Sequence, residues 1–286
     1  MAVRLEALYR RLRIPGVVDA HVHFMPPRIH EKVWRWFDEA PFHWPIRYRQ
    51  DEEARRRTLA RFGVVRYTSL NYAHRPGMAE WLNAWTLELL DRDPRVIGTA
   101  TFFPEEGVAR YVDAALRDPR IRGFKLHAQV GRFDPDDPRL HPGYARAQEA
   151  GAVITLHVGS APVPGEYTVP ERFRAVVRRF PRLRFVVAHL GAYETDHYLD
   201  LAERYETIYF DTAMVFVDFA TLGRFPDALL PRVEAARDRI LFGSDFPNLP
   251  YPWSHQVEAL QRLGFGDGWL RAVLYENAVK LYGLRG

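Results

Sequence analysis

The chain has 286 residues, 47% of them hydrophobic and 14% aromatic, which is enough to bury a substantial core and too apolar for a disordered protein. It contains no cysteine, so disulfides, thiolate metal sites and cysteine nucleophiles are excluded, and any metal must be held by His, Asp, Glu or Lys. The formal charge of +4 comes almost wholly from arginine, with acidic residues interleaved throughout; the clusters "EEARRR" and "VVRRFPRLR" read as solvated helix faces, and no nucleic-acid partner is expected.

The N-terminal "MAVRLEALYRRLRIPG" alternates Leu and Arg as an amphipathic helix does and lacks the apolar core of a signal peptide. No run of 18 apolar residues follows, so no membrane span is expected and a cytoplasmic location fits. Eight short apolar runs then predict strands: 16–24, 64–70, 95–102, 121–128, 152–159, 183–191, 207–213 and 239–247. Helix-like segments lie between them at 51–63, 77–93, 105–118, 141–151, 169–181, 195–205 and 225–238, several ending at Gly or just before Pro. Strands apolar on both faces that alternate with helices predict a parallel sheet covered by helices, and eight such units predict a (β/α)8 (TIM) barrel forming a single α/β domain over 1–286. The insert 25–50, rich in Trp, Phe and Pro, is too long for an ordinary connection and is expected to cover the active-site mouth. The tail from His255 reads as two closing helices.

In such a barrel the chemistry sits at the C-terminal ends of the strands. The eleven histidines favour those positions: His21 and His23 end the first strand, His127 the fourth, His157 the fifth and His189 the sixth, while Asp245 ends the eighth. Residues i and i+2 of a strand share a face roughly 6.6 Å apart, so the imidazoles of "DAHVHF" can meet at one point. A lone histidine closing an apolar strand is usually a hydrogen-bonded core residue, but several strand ends supplying His and Asp toward one mouth point to a metal ion. His30, His43, His74, His141, His197 and His255 fall in loops or helix-like segments and read as solvated, His74 alone standing where it could reach substrate.

"DAHVHF" on the first strand, "LHVG" on the fifth, "AHLGA" on the sixth and "FGSDFP" on the eighth together resemble the amidohydrolase superfamily, and most closely its aminocarboxymuconate-semialdehyde decarboxylase-like branch. The resemblance runs from about residue 16 to "ENAVKLYG". It implies one divalent metal, zinc, held by His21, His23, His157 and Asp245, with His189 activating the metal-bound water and Asp245 also serving as proton acceptor. On the fourth strand Lys125 and His127 share a face; other branches carbamylate a lysine there to bridge two metals, whereas binding of an anionic substrate is the expectation here. Arg47 and Arg49 in the insert are candidate carboxylate clamps. The resulting reading is a metal-dependent hydrolase acting on a small carboxylated molecule. Its alternatives are a non-oxidative decarboxylase of an aromatic or conjugated acid and a non-catalytic small-molecule binding barrel. The sequence leaves the oligomeric state open, a homodimer included.

Overall fold

The computed structural model describes residues 2–219 and 223–284. Its strands are β1 (Val17–Asp19), β2 (Val64–Thr68), β3 (Val96–Thr101), β4 (Ile121–His127), β5 (Val153–His157), β6 (Arg184–Val187), β7 (Ile208–Asp211) and β8 (Ile240–Leu241). Each lies inside one of the predicted runs. They form one eight-stranded sheet in chain order, β1 to β8, the arrangement expected of a (β/α)8 chain.

The predicted helices are present with trimmed ends, as at Glu52–Arg61, Ala79–Arg92 and Pro170–Arg179. Trimming follows from capping: the Asp51 carboxylate accepts the Ala54 N–H at 2.7 Å, so Asp51 stands outside the helix it starts. The insert 25–50 is not all irregular. Half of it is a helix, Pro27–Glu39, begun by a proline whose missing N–H costs nothing in the first turn. Met1 of the predicted N-terminal segment and the final residues Arg285 and Gly286 lie outside the described residues.

Close packing divides the chain into two compact units, Met1–Thr68 with Thr212–Gly286, and Ser69–Asp211. In the first, Leu5, Leu8, Tyr9 and Leu12 fall at helical spacing and are buried, which accounts for the Leu/Arg alternation of the N-terminal segment. Trp253 stacks on Phe62 with ring centroids 5.1 Å apart, tying the segment after β8 to the helix before β2. In the second unit β3 to β6 pair in parallel and β3 is buried along its whole length. A β-carbon at Gly98 would lie 2.6 Å from the Arg120 carbonyl oxygen, so the β3–β4 approach requires glycine there. Phe185 packs against Phe173 and Tyr144; burial of each such ring contributes about 1.5–3 kcal/mol. Among the described residues no helix is long and apolar enough to cross a membrane.

Candidate metal centre

In the first unit the chain beyond β1 stays extended although its regular ladder ends at Asp19. It is held against the run that follows β8: Ala20 N–H donates to the Phe242 carbonyl at 2.8 Å, Asp245 N–H to His21 at 2.7 Å and His23 N–H to Phe246 at 2.7 Å. The i, i+2 alternation therefore persists, and His21 and His23 come out on one side with ring centroids 5.1 Å apart. Asp245 faces both. Its Oδ1 lies 2.9 Å from His23 Nε2 and 4.0 Å from His21 Nε2. Asp245 has φ 65°, a left-handed conformation that costs a non-glycine residue about 1–3 kcal/mol and is found where a site fixes a side chain. Two buried imidazoles converging on one carboxylate oxygen form a nitrogen and oxygen donor set suited to a divalent ion.

Behind this group lies Asp19, fully buried. It accepts N–H bonds from His21 at 3.3 Å and Ser244 at 3.0 Å, and from the Trp253 indole at 3.0 Å. It thus joins the backbones that carry His21 and Asp245, and burial pushes its carboxyl up to about 7 despite those bonds.

The second unit gathers His127, His157 and His189. In the β4–β5 register Lys125 lies beside Thr155 and His127 beside His157, so all four share one face. The two imidazoles stack with centroids 4.0 Å apart, and His189 meets His157 edge-on at 5.0 Å. His189 lies in a turn beyond β6, at φ 54° and ψ 33°, outside the strand predicted to carry it. Its backbone N–H donates to the buried Asp211 carboxylate at 3.0 Å. Lys125 is fully buried, and Tyr72 packs on His127 at 4.9 Å. Asp19 and Asp211 escaped the sequence reading, which followed histidines. The signal was there, an acidic residue at the end of an apolar strand in "GVVDA" and "IYFDT".

Other expectations fare differently. His74 is half-buried in the second unit and Arg47 is exposed. Arg49 is exposed too and forms a two-pronged pair with Asp38, so its guanidinium is already engaged. His30, expected to be solvated, is buried on the insert helix; its Nε2 accepts the Met25 N–H at 3.0 Å and its ring stacks on Trp34. Burial, then the Arg55 cation and His23, push its pKa down from 6.5 to about 2. Below about pH 6.5 the unfolded chain takes up a proton that the folded one refuses, so His30 contributes stability at neutral pH that is lost as the pH falls. At about 1.4 kcal/mol per unit, roughly 2–3 kcal/mol should go by pH 4.5. Denaturant titrations at both pH values should show a smaller loss in His30→Gln than in the parent; equal losses would refute this.

A family model described as amidohydrolase matches residues 18–284. The chain belongs to the amidohydrolase family. Among curated proteins no sequence matches it. Solved structures share the barrel fold at low identity. An uncharacterized TIM-barrel protein from Bordetella bronchiseptica is 21% identical with a TM-score of 0.73, covering 94% of this chain and 99% of its own. A 5-carboxyvanillate decarboxylase from Novosphingobium aromaticivorans, complexed with manganese and 4-hydroxy-3-methoxy-5-nitrobenzoic acid, is 14% identical with a TM-score of 0.67, covering 94% and 95%. A dihydroorotase from Campylobacter jejuni is 15% identical with a TM-score of 0.61, covering 95% and 84%. This amidohydrolase thus has decarboxylase and hydrolase neighbours on one fold, and it is an enzyme of that superfamily.

Proposed function

We propose that this amidohydrolase is a zinc-dependent hydrolase of a small carboxylated molecule, with His21, His23, His157 and Asp245 holding one ion. The observation that carries the reading is the His21–His23–Asp245 group, in which Asp245 Oδ1 lies 2.9 Å and 4.0 Å from two imidazole nitrogens. A bound divalent ion supplies a Lewis acid and lowers the pKa of a coordinated water to about 7. The chain's own residues do the rest. His189, fixed by its backbone bond to Asp211, accepts a proton from the attacking water at its imidazole and returns it to the leaving group. Asp245 takes part in the same proton transfer through its carboxylate. Lys125 and His127, side by side on β4, face the anionic end of the substrate; Arg47 and His74 are further candidates for that contact.

Decarboxylation is a second reading, supported by the insert. Its Trp34 and Trp44 indoles donate to Asn248 at 3.2 and 2.7 Å, and Asn248 N–H donates to the Asp245 carbonyl, so an aromatic wall adjoins the residues after Asp245. Release of carbon dioxide from aromatic acids, against hydrolysis of lactones and amides, separates the two.

The purified protein should contain about one divalent ion per chain, lost on chelation together with activity and regained with zinc. Elemental analysis finding two ions would replace this model with a bridged pair at Lys125; finding none after reconstitution would remove the metal reading.

A further inference from the structure

The loops after β5 and β6 start from His157 and lead on from His189, and they interlock. Gly159 has φ 88°, in the left-handed region, and a β-carbon there would lie 2.4 Å from the Ala192 carbonyl oxygen, so this approach requires glycine. The Ala161 N–H donates to the same carbonyl at 2.8 Å. Glu194 closes the contact with its side chain: Oε2 accepts the Ser160 N–H at 2.8 Å and Oε1 accepts the Ser160 hydroxyl at 2.5 Å.

Glu194 stands at the start of helix Thr195–Arg204, where an acid ordinarily serves the helix itself by facing its free N–H groups. Here it does not. Its side chain makes no capping bond, and both oxygens are committed to one residue 34 positions back in the chain. The residue after Ser160 gives this clasp its use. The Ala161 carbonyl oxygen lies 3.3 Å from Nε2 of the buried His157. A histidine that holds a metal commonly gives its other ring N–H to a carboxylate or a backbone carbonyl, which fixes the tautomer and the ring orientation. A carbonyl oxygen accepts and cannot donate, so the contact is a hydrogen bond only when Nε2 carries the proton. Nδ1 is then the nitrogen that keeps its lone pair.

We propose that Glu194 is a positioning residue: its clasp on Ser160 sets the Ala161 carbonyl that holds His157 in the Nε2–H tautomer, ready to bind the ion. The role of His157 as a ligand rests on the reading above, whereas the tautomer is a property of the metal-free chain. The same clasp fixes the His157 loop against the chain leaving His189, and the two rings meet at 5.0 Å.

Imidazole nitrogen NMR of the metal-free protein, at a pH where histidine is neutral, reads the tautomer directly, with His157 assigned by the signal lost in His157→Gln. Equilibrium dialysis against zinc reads the consequence. The parent should show His157 as the Nε2–H form. Glu194→Ala should release it into a mixture of both tautomers and weaken zinc binding by about 10- to 100-fold, the usual cost of losing an outer partner of a ligand. Glu194→Gln should restore both, because its amide oxygen accepts the Ser160 N–H and its amide nitrogen donates to the hydroxyl. A parent with His157 in the Nδ1–H form, or a folded Glu194→Ala protein with the parent's tautomer, would overturn the proposal. Were His157 not a ligand, the tautomer would still change while zinc affinity stayed constant, so failure of the metal reading and failure of the clasp give different results. Where Glu194→Ala does not fold, Ser160→Ala decides: it removes only the hydroxyl bond and should shift the tautomer part-way, and a parent-like spectrum there refutes the clasp.

Discussion

Replacing His189 with asparagine is expected to leave the ion in place while turnover falls by about 10²- to 10⁴-fold, the contribution typical of a positioned general base. Asparagine is chosen for the backbone. His189 has φ 54° and the next residue, Leu190, φ 52°, and asparagine tolerates this left-handed region better than alanine does. The bond from the His189 N–H to Asp211 at 3.0 Å involves no side-chain atom of residue 189 and survives the change. Elemental analysis beside single-turnover kinetics would check the outcome. Loss of the ion in this variant would make His189 a ligand and transfer the proton-accepting role elsewhere.

Asp245→Asn should have the opposite signature. Removing the charge from an oxygen 2.9 Å from His23 Nε2 and 4.0 Å from His21 Nε2 takes the anionic member from the donor group, and zinc affinity should fall by more than about 100-fold. That is more than loss of an outer partner normally costs. The fold should persist, because asparagine accepts φ 65° and the Asp245 N–H still donates to the His21 carbonyl. Equilibrium dialysis against zinc would read the affinity, and melting of the chelated proteins would report the fold. Parent-like affinity in the variant would take Asp245 out of the ligand set.

The two variants probe residues with one feature in common. Both lie just beyond the last regular residue of a strand, β6 or β8, and both have positive φ. Strain of this kind persists only where surrounding bonds over-determine it. Here the Asp211 carboxylate fixes the His189 backbone, while the His21 carbonyl and the Asp19–Ser244 bond fix the segment carrying Asp245.

The order of elements was legible in the sequence because apolar periodicity and helix stops are local: all eight strands fall inside the predicted runs. So was the pairing of His21 with His23, since the period of two belongs to extended chain whether or not a ladder is present. The four motifs sufficed to indicate the amidohydrolase family. Tertiary structure alone decided the rest. Where strand ladders stop depends on partners far along the chain, so β1 and β8 are short and His189 and Asp245 occupy turns. Burial depends on what packs above a helix face: the sequence could not distinguish Arg55 from Arg56 and Arg57, because the rings beside Arg55, Trp34 and Phe24, are brought in from the insert and from the end of the first predicted strand. Pairing likewise committed Arg49 to Asp38 across the insert, a choice that neither residue's neighbours in sequence disclose.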